Sequence, residues 1–231
     1  NTIFKYPLSV AEIIKLSKLC KKHNIPLLCD LGSGSIYNSD NNFIPVEKEV
    51  QKYISDGIDV VTYSGDKLLG GAQGGIISGK EILISQIHDN PMYRTLRCDK
   101  YRIALFEKIL RTYITTKKVT NDNLSIKLFN RSNEELKQNA DKVLNEINGQ
   151  IKDRYSIVIE KSKVEAGSGS LPTEKITSFA ISFCHSKKSP DKIAASFRKC
   201  KTPILNYIRN DKVYIDFKAI TNDQINTLIK M

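Results

Sequence analysis

The stretch Ser64-Gly65-Asp66-Lys67-Leu68-Leu69-Gly70-Gly71-Ala72-Gln73-Gly74-Gly75 carries the residues best suited to chemistry. It follows the apolar run Val60-Val61-Thr62-Tyr63 and sets one lysine between a short polar triplet and two glycine pairs. A lysine amine at a strand end, in a glycine-rich wrap where backbone can approach a ligand closely, suits covalent work. It can condense with an aldehyde to a Schiff base, and burial that depresses its pKa favours this. Taken alone, Lys67 reads more readily as a solvated loop lysine.

Three further positions bear on the same chemistry. Asp66, beside the lysine, could assist proton transfer or hold the amine, or could simply stabilise the Gly65-Asp66 turn. Asp30 interrupts the apolar run Leu27-Leu28-Cys29-Asp30-Leu31, and a buried carboxylate there needs a partner; the other reading is a cap on the Gly32-Ser33-Gly34 turn. Arg94 and Arg97 stand three positions apart ahead of a helical pattern. Two such guanidiniums can converge on one oxyanion, or they can be solvated residues at a helix start.

These residues need elements to carry them. Ser9-x-x-Glu12 is a capping box for a helix over 9–22, ended by Asn24-Ile25-Pro26. The run 27–31 reads as a buried strand of a parallel sheet, 46–54 as a short helix, and 59–64 as the strand that delivers Lys67. This alternation predicts an α/β layer with ligands at the strand C-terminal ends, where Asp30 and Lys67 both lie. A strand at 74–79, a helix at 80–88 and a long helix at 99–117 follow. The chain turns polar at 119–130, read as a hinge, so the expected domains are 1–120 and 121–231. Beyond it lie a helix from Ser132 to about Asn148, a strand at 155–160, a small-residue loop at 162–170 and an alternating strand around Phe179, Ile181 and Phe183. Ser189-Pro190 opens another helix, two strands flank Asn210-Asp211, and Thr221-x-x-Gln224 caps the last helix, making an α+β unit.

Composition bounds the partners. The chain has 231 residues and a net charge of +11, a surplus that favours an anionic partner such as a nucleic acid, though the lysines are spread and no aromatic-basic RNA motif is present. Five scattered cysteines without a C-x-x-C pair argue for reduced thiols and against both a disulfide framework and a zinc site. No apolar run approaches bilayer length and no signal peptide is visible, so the expectation is a cytoplasmic chain that lacks its natural N-terminal part.

The run SGDKLLGGAQGGIISG resembles the lysine segment of the bacterial selenocysteine synthases, the L-seryl-tRNA(Sec) selenium transferases. Asp30-Leu31-Gly32-Ser33-Gly34-Ser35, Arg94-Thr95-Leu96-Arg97-Cys98-Asp99-Lys100 and Gly167-Ser168-Gly169-Ser170-Leu171-Pro172 fall in the family's order. The resemblance implies the latter half of a fold-type-I large α/β domain followed by a small C-terminal α+β domain, with pyridoxal 5'-phosphate as cofactor. It also implies conversion of seryl-tRNA(Sec) to selenocysteinyl-tRNA(Sec) with selenophosphate, by way of an aminoacrylyl intermediate, in a homo-oligomer built of dimers. By the same resemblance Lys67 bonds the cofactor and moves the α-proton, Asp30 pairs with the pyridine nitrogen, Ser64 reaches the phosphate, and Arg94 and Arg97 hold selenophosphate.

Three departures bear on the carry-over: the loop at 167–169 is one glycine poorer, Ala72 stands for an expected proline, and Lys218 in Asp216-Phe217-Lys218-Ala219 stands where the family has arginine. A lysine cannot grip a carboxylate through two parallel bonds as arginine does. Two alternatives therefore stay open: a related lyase acting on a small amino acid or amino-sugar acid, and a basic RNA-binding module without catalysis.

Overall fold

In the computed structural model, which describes residues 9–37, 49–115, 119–166 and 175–230, the Ser9 side chain caps helix α1 (Val10–Lys22). The Ser9 N–H donates back to the Glu12 carboxylate at 2.8 Å, completing the capping box. Asn24, at φ 54°, turns the chain out of the helix ahead of Pro26. Strand β1 (Leu28–Gly32), helix α2 (Val50–Ser55), strand β2 (Val60–Ser64) and strand β3 (Gly75–Gly79) follow. β1 runs parallel to β2 and β3 antiparallel to it, so β2 is the central strand of three.

A latch aligns the strand ends. The Asp59 carboxylate, buried just before β2, accepts the Leu27 N–H at 2.8 Å and pairs with Lys80 at 2.5 Å, tying the start of β1 to the end of β3. Ile13, Val50, Ile58, Val61 and Tyr63 form the core between this sheet and its helices. Helices α3 (Glu81–Asp89), α4 (Pro91–Leu96) and α5 (Lys100–Thr115) follow β3. The short helices α6 (Val119–Asp122) and α7 (Leu124–Phe129) come next, and the first of two compact units runs to Lys127.

The second unit begins at Leu128, within α7, and its first complete helix is α8 (Asn133–Glu146), whose N-terminus is capped by Ser132. After α9 (Gly149–Lys152) come β4 (Ser156–Val164), β5 (Ile176–Cys184), α10 (Pro190–Arg198), β6 (Tyr207–Arg209), β7 (Lys212–Asp216) and α11 (Asn222–Ile229). The strands form one antiparallel sheet in the order β4-β5-β7-β6. Leu136, Ala140, Phe179, Ile181, Phe183, Ile193, Val213, Ile215, Phe217 and Ile225 form its core, as the alternation along β5 and β7 requires. Asn210 and Asp211 both adopt positive φ, which makes the tight turn between β6 and β7.

Several expectations change. The stretch 119–130, read as the hinge, holds two short helices anchored by the buried Val119 and Ile126, and the division between the two units falls inside it, after Lys127. β4 extends to Val164, through positions read as loop, because its antiparallel register with β5 continues to Ile176. β1 is not buried on both sides: among the described residues it pairs only with β2, and Leu28 and Asp30 are exposed. α2 begins at Val50; the expected start at 46–48 and the motif at 167–172 lie outside the described residues. All five cysteines are free thiols. No helix among the described residues is long and apolar enough to cross a membrane.

Candidate active site

The parallel pairing of β1 with β2 brings Asp30 and the lysine turn to the same end of the sheet. In the register Asp30 stands beside Thr62, and the Thr62 hydroxyl donates to Asp30 Oδ1 at 2.9 Å. The Gly32 N–H donates to the same oxygen at 3.3 Å. Asp30 Oδ2 has no hydrogen-bond partner among the described residues, so the carboxylate is oriented through one oxygen. Asp30 thus caps its turn, and because it is exposed it is not the buried carboxylate that the apolar run suggests.

Lys67 follows β2 in a turn that is closed twice. The Gly65 N–H donates to the Gly74 carbonyl at 2.9 Å, and the Gly71 N–H donates to the Gly65 carbonyl at 2.8 Å. The ring of Phe106, from α5, fills the inside of this wrap. A Cβ at Gly65 would lie 2.1 Å from Phe106 Cε1, and Cβ atoms at Gly71 and Gly74 would lie 3.1 and 3.0 Å from the same ring. Glycine is needed at these positions because the ring sits where side chains would be. Lys67 is half-buried, and its amine makes no hydrogen bond or ion pair among the described residues. Asp66 is exposed at the turn, and Ser64, the last residue of β2, is half-buried and pairs with Gly75.

The arginines sit differently from the expected helix start. Arg94 is in the last turn of α4 and Arg97 is its C-cap; both are exposed and make no hydrogen bond or ion pair among the described residues. The N-terminus of α5 is not free to receive an anion. Asp99 already fills it, accepting the Tyr101 and Arg102 N–H groups at 2.9 and 3.1 Å. The Arg102 N–H bond leads the contacts that hold the Asp99 carboxyl below its ordinary range. Cys98, next to Arg97, lies close against Gly74 and so ties the arginine segment to the lysine wrap.

Sequence reasoning missed three residues here. Thr62 is visible only once the β1–β2 register is known. Tyr113 and Asn123 both donate to the Leu69 carbonyl, at 2.8 and 2.9 Å, from more than forty positions away along the chain. Burial pushes the Tyr113 phenol above its ordinary value, so it remains a donor throughout the physiological range. In the second unit, Lys218 is buried with its amine donating to the Arg131 carbonyl at 3.1 Å, while Arg131 Nη1 donates to the Phe217 and Ile220 carbonyls at 3.1 and 2.5 Å. Lys218 therefore clasps its own unit, and this structure gives it no open face toward a substrate.

The family model described as SelA, L-seryl-tRNA selenium transferase, matches residues 5–221. The chain belongs to this family. Among curated relatives, the L-seryl-tRNA(Sec) selenium transferase of Mannheimia succiniciproducens is 38% identical over 98% of this chain and 48% of its own length. The protein of the same name from Haemophilus influenzae (strain ATCC 51907 / DSM 11121 / KW20 / Rd) is 34% identical over 93% of this chain and 47% of its own length. The chain thus spans about half the length of the curated relatives it matches. Among solved structures, a D-glucosaminate-6-phosphate ammonia-lyase superposes with a TM-score of 0.60 over 99% of this chain and 53% of that one, at 13% identity. That likeness speaks for the fold, which is the fold-type-I architecture expected from the sequence.

Family and fold imply pyridoxal phosphate as the cofactor. The residues present fit it: Lys67 offers an uncommitted amine, and Asp30 offers one fixed and one vacant carboxylate oxygen on the neighbouring strand. A cationic pyridine nitrogen calls for such an acceptor.

Proposed function

We propose that the full-length protein carrying this chain is a cytoplasmic L-seryl-tRNA(Sec) selenium transferase, which makes selenocysteinyl-tRNA(Sec) from seryl-tRNA(Sec) and selenophosphate. Lys67 and Asp30 would hold pyridoxal phosphate, with Ser64 a candidate for its phosphate. When bound, the cofactor supplies an electron sink that makes the serine α-proton removable. Lys67 Nζ takes that proton, and the serine β-hydroxyl leaves as water. Exposed Asp66 is a candidate to steady the amine while it carries the proton. Arg94 and Arg97 would grip the phosphate end of selenophosphate; its selenium would bond to the β-carbon while the α-carbon regains a proton, and water would cleave the Se–P bond and release phosphate. The active assembly is a homo-oligomer built of dimers.

The observation that carries this reading is the pair Asp30 and Lys67 at the C-terminal ends of adjacent parallel strands, within a chain whose family match covers residues 5–221. The test supplies the full-length protein with pyridoxal phosphate, seryl-tRNA(Sec) and selenophosphate. The expected result is selenocysteinyl-tRNA, together with a visible absorbance band that is lost in Lys67→Ala. Arg94→Ala and Arg97→Ala should raise the selenophosphate requirement more than the tRNA requirement. Release of ammonia from an amino-sugar acid without turnover of the charged tRNA would overturn the assignment.

A further inference from the structure

Lys67 begins a turn whose shape is set from outside the loop. Its carbonyl accepts the Gly70 N–H at 3.0 Å, closing residues 67–70. The side chains of Leu68 and Leu69 are buried, so the middle of the turn is anchored. The Leu69 carbonyl takes two hydrogen bonds, from the Tyr113 hydroxyl of α5 at 2.8 Å and from Asn123 Nδ2 at 2.9 Å. Asn123 also donates to the Tyr113 oxygen at 3.2 Å, and its Oδ1 accepts the Ile126 N–H at 3.1 Å. Gly70, at φ +73°, lies so close to Asn123 that a Cβ there would come within 2.7 Å of Oδ1. Asn123 is 1% exposed and sits between two short helices, where it bonds to both the turn and the start of α7.

We propose that Tyr113 and Asn123 are positioning residues for Lys67: by holding the Leu69 carbonyl from two directions they fix the turn and so confine the lysine amine to one place. The inference rests on Lys67 being the residue that bonds pyridoxal phosphate. Neither side chain need touch the reacting atoms; both act through the backbone of 67–70. A buried carbonyl that has lost one donor is no longer held in a single orientation, and the turn then shares its population among several arrangements. The amine meets the aldehyde carbon in fewer of them, and its effective concentration falls.

The test uses full-length protein, equilibrium dialysis against pyridoxal phosphate, and the visible band of the lysine-bound cofactor followed across pH. Tyr113→Phe keeps the ring and removes only the hydroxyl; Asn123→Asp keeps the oxygen that accepts the Ile126 N–H and removes the donor. Each is made alone and in a Lys67→Ala background. With Lys67 present, each should weaken cofactor retention roughly 3- to 10-fold, the worth of one net hydrogen bond, and move the pH midpoint of the band. With Lys67 absent, the same substitutions should change retention less than about twofold.

Equal losses in both backgrounds would mean that the two residues shape the cavity without acting through the lysine, and would overturn the proposal. Unchanged retention and an unchanged pH midpoint in Tyr113→Phe, the variant least disturbing to the fold, would overturn it too. If the unsubstituted protein develops no Lys67-dependent band, the reading of Lys67 itself falls, and this inference with it.

Discussion

Substituting Gly65 by alanine tests whether the lysine wrap is built around the Phe106 ring. The added methyl would sit 2.1 Å from Phe106 Cε1 and 2.5 Å from Cζ, against about 3.5–4.0 Å for an ordinary carbon contact. The ring must therefore retreat by more than an ångström. It has little room to do so, because Phe106 is only 8% exposed and Gly71 and Gly74 also lie against it. Overpacking of this kind costs about 1–3 kcal/mol, and in a chain of this size about 2 kcal/mol lowers the unfolding midpoint by roughly 4–8 °C. The assay is thermal and urea unfolding of the cofactor-free protein by circular dichroism, for Gly65→Ala, Phe106→Leu and the double variant. Leucine lacks the Cε1 and Cζ atoms that the methyl would strike, so the double variant should be more stable than the summed single effects by at least about 1 kcal/mol. A Gly65→Ala protein within about 0.5 kcal/mol of the parent, or strictly additive substitutions, would refute the reasoning.

Two further predictions concern buried charges. Burial, then the neighbouring Arg131 guanidinium, push the Lys218 amine down to about 8 from the ordinary 10.5. Between those values the unfolded chain binds the proton and the folded chain does not, so this residue makes stability rise with pH across that window. Lys218→Met should flatten that rise in urea midpoints measured from pH 8 to 10, and an unaltered slope counts against the assignment. For Asp59, burial acts to raise the carboxyl, but the Leu27 N–H and the Lys80 ammonium outweigh it and hold the group below 3.8. Its contribution is thus complete above the ordinary carboxylate value and is lost as pH falls through the lowered one. Asp59→Asn should cost about 1–3 kcal/mol at neutral pH and make acid unfolding less steep; equal stability with unchanged acid unfolding would show that the latch contributes nothing.

Much of the candidate site could be read in advance because its signals are local. Ser9 with Glu12, and Thr221 with Gln224, form capping boxes from residues three positions apart, and both are present. The strand before Lys67 announced itself by an apolar run ended by glycines, and the order of motifs led to the family that the match over residues 5–221 bears out. The polar stretch at 119–130 reads as a hinge from its composition, and the division between the two compact units falls within it, but its two short helices are not legible there. Two buried side chains, Val119 and Ile126, are enough to make it helical when there is a surface to bury them against. β1 misled, since a continuously apolar run does not say how many neighbours its strand will have.

The sequence by itself determined which residues are candidates for chemistry: one lysine among glycines, one aspartate at the end of an apolar run, and two arginines three positions apart. Their residue types and short-range spacing suffice, because caps, turns and strand ends are set within a few positions of the chain. Only the tertiary structure decided that Thr62 steadies Asp30, that Phe106 occupies the glycine wrap, that Tyr113 and Asn123 hold the Leu69 carbonyl, and that Lys218 turns inward to Arg131. Those meetings depend on strand register and helix packing, which join residues tens of positions apart and leave no mark on the spacing of either partner.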